Sequence, residues 1–537
     1  MLPTPPSDDA MLPTPSLLSP AFLGLLLFGF TGVAAATQEA LPEERPQPPG
    51  FLSLPEWDPD TPRGVLTNEP EAFGGVTLVQ PINSRFAHLV ELDGQVVHTW
   101  EFDSAPGEWA YLLEDGTLLR AGREDDDPHF RGGGIGGRLQ RLAPDGTLLW
   151  SYRIADTERH AHHDIEPLPN GNLLAIVWER ISSGRAVELG RDPIMVGEAG
   201  LWLDSVLELK PVGDSGVEVV WEWHAVDHLV QDLDEEAEGF GDVKGNSGRI
   251  DINGDHRELA PQTAQERRLE AEERAQLEAL GYAPGISGPE PRTEEELEEL
   301  QRTLARSGDM LHTNGIDYDA EHDLIVLSVP EMNEVWILDH STTTEEARGS
   351  TGGRYGQGGD LLWRWGNPSK YGLGGEEDRV LGYQHDPKFL RGPSGELRLT
   401  LFNNRAGDDG ETRWSEVLEL ELPFRPDQGF ARAAGEAFGP AGPVWTYSDP
   451  GAFFSSFISG AERLPNGNTL ICSGAGGRLF EVTPGGRTVW NFRNTFGGDV
   501  EPPDHAGKAP KLSVFRAARY SPDHPGVRAL LDAGAPR

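Results

Sequence analysis

The segment PNGNTLICSGAGGRLFEVTPGGRTVWNF, residues 465–492, contains the unit that decides the fold. Asn466-Gly467 and Gly485-Gly486 are tight-turn dipeptides set between apolar runs, the sequence mark of a β-hairpin. The segment ends in Trp490-Asn491-Phe492. Its two aromatics stand two apart and so share one face of a strand. The Trp-x-aromatic element recurs at Trp100-Glu101-Phe102, Trp150-Ser151-Tyr152, Trp221-Glu222-Trp223, Trp363-Arg364-Trp365 and Trp445-Thr446-Tyr447, which makes six copies. Asp93-Gly94 and Asp145-Gly146 precede the first two as Gly485-Gly486 precedes the last. A second hairpin signal lies between copies: Asp115-Gly116, Asn170-Gly171, Asn466-Gly467 and the weaker Ser394-Gly395. Two hairpins per copy give four strands, and six four-stranded antiparallel sheets are the content of an all-β, six-bladed β-propeller. The repeated aromatics read as packing between blades, not as a binding site.

Only the gap between Trp221 and Trp363 is far too long for one blade. It predicts a helical insertion between blades three and four, roughly residues 224–310. Thr293 and Glu296 form a capping box there, followed by Leu297, Leu300 and Leu304 at helical spacing. Leu269, Leu277 and Leu280 lie in an earlier helical run that ends at Gly281, with Pro284 beyond it. Such an appendage is a lid over one face of the propeller or an inert decoration.

The chain has 537 residues, with 14 Trp, 21 Phe and 66 Gly, enough apolar material for a packed core rich in turns. Its net charge is −43, from 88 acidic and 45 basic residues, a field that repels nucleic acid and anionic membrane surfaces. Any anion-handling site must therefore be locally screened or locally basic. The single cysteine, Cys472, allows no intramolecular disulfide and no cysteine-based zinc site. Residues 17–36 (LLSPAFLGLLLFGFTGVAAA) form an apolar stretch closing on Ala34-Ala35-Ala36, which predicts an export signal or a membrane tether over residues 1–36. Residues 37–63 are Pro-rich and acidic and read as a linker before a propeller spanning 64–537.

Three repeats carry a histidine followed by polar residues where an inner strand is expected to start: His163-Asp164, His312-Thr313-Asn314 and His385-Asp386. Inner strands line the central channel of a propeller, so equivalent positions in different blades converge near its axis. One such histidine reads as a satisfied structural side chain; three at matching repeat positions point to a polar site. A metal centre is the rival reading and lacks support. Residues 160–165 depart from the His-x-His-x-Asp-His motif at Ile165, and His224 and His228 have no third ligand nearby.

At these residues the chain resembles the arylsulfate sulfotransferase family. The likeness is carried by HHDIEPLPNGNLLAI (162–176), HTNGIDYDAEHDLIVLS (312–328), LLWRWGNPSKYG (361–372), YQHDPKFL (383–390) and residues 465–490, with FRAARYSPDHPG (515–526) fitting a larger subfamily. The resemblance implies an exported six-bladed propeller that moves a sulfuryl group from a phenolic sulfate ester to a second phenol, without cofactor or nucleotide donor. His385 matches the family nucleophile, His163 and His312 match site histidines, and Asn314 matches a site asparagine. Neutral imidazole attacks a sulfate ester without the charge repulsion a carboxylate meets. One departure stands out. The arginine that active members carry eighteen residues after the His-x-Asn histidine is here Pro330, with Glu331 beside it, and Arg405 is the candidate substitute cation. The cysteine pair of some members is also missing. Three functions follow: sulfuryl transfer, a propeller whose inherited site only binds a ligand or partner, and hydrolysis with water as acceptor.

Overall fold

The computed structural model describes residues 61–124, 129–255, 307–408, 412–500 and 512–532. They form a β-propeller of six antiparallel sheets. From the channel outward, blade 1 is Val514–Tyr520, Val76–Pro81, Phe86–Glu91 and Val96–Glu101. Blade 2 is Pro106–Leu112, Leu118–Arg123, Gly137–Leu142 and Leu148–Arg153. Blade 3 is Arg159–Pro167, Leu173–Ile181, Leu201–Val212 and Gly216–His224. Blade 4 is Gly315–Asp319, Leu324–Val329, Glu334–Asp339 and Trp363–Trp365. Blade 5 is His385–Arg391, Leu397–Asp408, Arg413–Glu421 and Trp445–Ser448. Blade 6 is Gly460–Arg463, Thr469–Ser473, Arg478–Val482 and Thr488–Arg493.

The ring closes twice. The late segment Val514–Tyr520 supplies the innermost strand of blade 1, and the early segment Gly64–Asn68 adds a fifth, outermost strand to blade 6. Blade 1 is thereby assembled from the two ends of the described chain.

The Trp-x-aromatic element lies on the fourth strand of every blade, counted from the channel, and the structure gives its tryptophan a job beyond packing. Each indole N–H donates to the connection that leads into the next blade's fourth strand. Trp100 reaches the Ala143 carbonyl, Trp150 that of Gly216, Trp221 the Thr342 hydroxyl, Trp363 the Gly439 carbonyl, Trp445 that of Pro484, and Trp490 closes the circle on Leu92. The rings bury large apolar areas between sheets while the one polar atom is satisfied, which is why tryptophan and not phenylalanine recurs here.

The expected insertion is only partly within the described residues. Ala225–His228 is a short 3₁₀ turn, and Leu229–Val230 pairs in parallel with Ile250–Asp251. His224 and His228 are committed to carboxylates, His224 to Glu179 and His228 to Asp360, each at 2.8 Å. The two predicted helical runs, the N-terminal segment 1–36 and most of the linker lie outside the described residues.

Candidate active site

Inner strands of antiparallel sheets present alternate side chains to the channel. This propeller adds bulges and positive-φ residues that re-aim them. Glu108 (φ 101°), His163 (φ 52°), His312 (φ 54°), Tyr383 (φ 56°), Asp386 (φ 52°) and Ser459 (φ 91°) all lie within inner strands or just before their starts. Left-handed backbone at non-glycine residues is costly and gathers where a side chain must be held in one direction.

The three predicted histidines belong to blades 3, 4 and 5, and the structure brings them into one buried cluster. The rings of His163 and His312 meet edge to face, with centroids 4.5 Å apart. Tyr383 stands between His312 and His385, at 6.3 and 6.1 Å. A glycine-rich loop between the second and third strands of blade 2 presses on the cluster. The His163 ring lies 2.1 Å from where a Cβ on Gly134 would stand, and Gly134 is itself at φ +74°, so only glycine fits.

The hydrogen bonds fix a different state on each imidazole. His385 Nδ1 is 2.8 Å from Asn404 Oδ1 and 3.1 Å from the Tyr383 carbonyl. Asn404 donates its own amide N–H groups to the carbonyls of Ser455 and Ile458, both at 2.8 Å, so its oxygen faces His385. Both neighbours of Nδ1 are acceptors. The proton therefore sits on Nδ1, and Nε2 keeps its lone pair. Burial pushes the His385 pKa down to about 3 against the Asn404 bond, with the charge of His312 adding to the fall.

His312 is the reverse case. Its Nδ1 lies 2.5 Å from Asp309 Oδ2. Burial alone would lower its pKa; the charge and hydrogen bond of Asp309, then Glu331 and Asp204, outweigh burial and hold it up at about 9. His312 is thus an imidazolium at neutral pH. His163 is neutral, its pKa driven well down by burial and then by the positive charges of His312 and Arg516. Its Nδ1 is 2.8 Å from Nδ1 of His162, whose Nε2 faces Asp204 at 3.3 Å.

Asn314 is fully buried and donates to the Gln384 carbonyl at 2.9 Å, so it braces the peptide that leads into His385. Arg405 is exposed at the site's edge, stacked over the Tyr383 ring at 4.3 Å, with its Nε donating to the Ser456 carbonyl. Pro330 is buried in a 3₁₀ turn. The neighbouring Glu331 hydrogen-bonds the Tyr383 side chain and contributes to the raised pKa of His312. The carboxylate that stands beside the missing arginine therefore helps to create a cation on the neighbouring histidine.

Arg516 and Glu108 are charged residues of the channel that the sequence does not single out. Arg516, on the inner strand of blade 1, is buried, with Nη2 at 2.5 Å from Asp164 Oδ2 and Nη1 at 3.1 Å from Asp386 Oδ1. Those aspartates are the second residues of the two His-Asp pairs. Each also accepts a backbone N–H from the following blade, Ile316 for Asp164 and Ala461 for Asp386. In each pair the histidine enters the cluster while the aspartate ties blades together. Glu108, on the inner strand of blade 2, is the other. Burial raises its pKa to about 7 against Arg123, His312 and Arg516.

The description Arylsulfotransferase (ASST) belongs to the family model that matches residues 133–489, and the chain belongs to that family. No curated protein matches the chain. Similar solved structures include a protein of unknown function from Bacteroides caccae (12% identity, 83% of this chain and 100% of that one, TM-score 0.35). Hydrazine synthase of Kuenenia stuttgartiensis (8%, 78% of each, 0.30) and apo AztD of Citrobacter koseri (8%, 84% and 99%, 0.30) are others.

Proposed function

We propose that this propeller transfers a sulfuryl group from a phenolic sulfate ester to a phenolic acceptor through a sulfohistidine at His385. Family membership implies aryl sulfate and phenol substrates. The observation that carries the finer reading is the division of protonation: a neutral His385 with its lone pair at Nε2, beside an imidazolium at His312. Nε2 attacks sulfur, and the phenol oxygen departs with the electrons of the S–O bond. His312 and Arg516 supply positive charge for the sulfuryl oxygens, in the manner of electrostatic catalysis of phosphoryl transfer, without the arginine lost at Pro330. An acceptor phenol then displaces His385. Release of the protein from the cytoplasm, with residues 1–36 as signal or tether, fits the apolar stretch 17–36 and belongs to the same proposal.

The test is a chromogenic aryl sulfate incubated with the chain, with and without a second phenol. Acceptor-dependent release that vanishes in His385→Ala supports transfer. Release to water alone points to hydrolysis, and saturable binding without turnover to a binding module.

A further inference from the structure

The register of the inner strands singles out one more side chain. In blade 3, Ala161 pairs with Val177 and Ile165 with Ala175, so four steps on the inner strand span two on its neighbour. His163 is the middle residue of that bulge. Blade 2 repeats the irregularity: Pro106 pairs with Gly122 and Ala110 with Arg120. Its middle residue is Glu108, also at positive φ. A bulge of this kind re-aims one side chain, and in blade 3 it delivers a histidine to the cluster. Blade 2 delivers a carboxyl.

Glu108 Oε2 is buried with no hydrogen-bond partner among the described residues, an uncommon state for a carboxyl oxygen. The charged groups facing it come from three blades: Arg123 of its own blade, His312 of blade 4 and Arg516 of blade 1. His312 and Arg516 also face His385. In a ring of six, blade 2 stands opposite blade 5. Glu108 and His385 therefore approach the cluster from opposite sides, with blades 3 and 4 on one flank and blades 1 and 6 on the other. In-line displacement at sulfur needs that arrangement, with the nucleophile on one side and the departing oxygen on the other.

We propose that Glu108 is the proton carrier of the reaction, giving its proton to the leaving phenol oxygen and taking one from the acceptor phenol. The inference rests on the sulfohistidine reading above. In the first half-reaction the His385 Nε2 lone pair forms the N–S bond, the S–O bond breaks, and the phenol oxygen receives that electron pair together with the Glu108 proton. In the second, the Glu108 carboxylate accepts the acceptor's phenolic proton as its oxygen attacks sulfur, and the N–S electron pair returns to Nε2. His312, held as a cation by Asp309, keeps its proton throughout. Glu108 lies outside the family-matched stretch, 133–489.

The experiment is single-turnover phenol release from two donors, 4-nitrophenyl sulfate, whose phenolate leaves unaided, and phenyl sulfate, whose phenolate needs a proton. Glu108→Gln keeps the shape of the side chain and cannot carry the proton. It is expected to slow phenyl sulfate by about 10²–10⁴-fold, the usual worth of a general acid, and 4-nitrophenyl sulfate by only a few-fold. In the unmodified chain, phenyl sulfate release should fall as pH rises through about 7 while 4-nitrophenyl sulfate release does not. Equal slowing of both donors, no slowing of either, or a pH profile shared by both donors overturns the assignment. Release that survives in His385→Ala counts against the sulfohistidine instead, which keeps the two failures apart.

Discussion

Arg516 Nη1 stands 3.1 Å from Asp386 Oδ1, across a span of the chain that joins the last described strand to the fifth blade. The same guanidinium holds Asp164 of blade 3. One cation thus ties the residue after His163 to the residue after His385.

Removing that cation leaves two buried carboxylates facing each other. Arg516→Met is expected to destabilise the fold by about 3–5 kcal/mol, the usual loss when one partner of a buried ion pair is deleted. Denaturant unfolding measures it. A loss no larger than that of an exposed salt bridge, under about 1 kcal/mol, would show that the network does not join the blades.

The lone pair on His385 Nε2 is set by Asn404. Asn404→Ala frees the ring to take the other tautomer, so transfer is expected to fall by on the order of 10²-fold or more, while donor binding changes little. Steady-state kcat and KM separate the two. A rise in KM at constant kcat would contradict the assignment.

His312 and His385 place opposite demands on pH. The folded pKa of His312, about 9, lies above the ordinary histidine value, so its contribution to stability is complete below about 6.5 and is lost as pH rises through 9. That of His385 is depressed to about 3, so its contribution is present above about 6.5 and fades as pH falls toward 3. Asp309→Asn removes the largest support of the imidazolium. The alkaline limb of transfer from 4-nitrophenyl sulfate should move down by more than one pH unit. An unmoved limb means that His312 does not titrate there.

The tryptophan girdle predicts a modest, repeated contribution. Trp490→Phe keeps one aromatic ring but deletes the pyrrole ring and its bond to Leu92 at the closure between blades 6 and 1. A loss of roughly 1–3 kcal/mol is expected from the lost bond and the lost ring volume together, the Leu92 carbonyl keeping its bond from the Asn68 amide. Thermal unfolding reads it, and an unchanged midpoint would show that the Trp490 indole does not hold the closure.

The blades were legible in the sequence because each carries its own local marks. Turn dipeptides fix the hairpins and Trp-x-aromatic fixes the fourth strand, so blade count needs no long-range knowledge. The three histidines were legible because they recur at equivalent places. Arg516 was not: its partners lie in other blades, 130 and more residues away, and nothing in Phe515-Arg516-Ala517 marks a salt bridge. Glu108 left a fainter trace. It stands eight residues before the turn glycine Gly116, as His163 stands before Gly171, but a search for repeated histidine passes over a glutamate in the same slot. The charge on His312 was likewise hidden. Glu331 reads as the wrong sign beside an anion site until the structure sets it among the groups that hold a proton on His312.

The most direct measurement is to mix the chain with 4-nitrophenyl sulfate without acceptor, quench in base, and locate any added sulfuryl group by peptide mass spectrometry. The account predicts one sulfuryl group on the peptide containing His385, absent in His385→Ala and discharged when a phenol is added before quenching. Nitrophenol release in step with enzyme, but with His385 unlabelled or labelled without discharge to phenol, would contradict it.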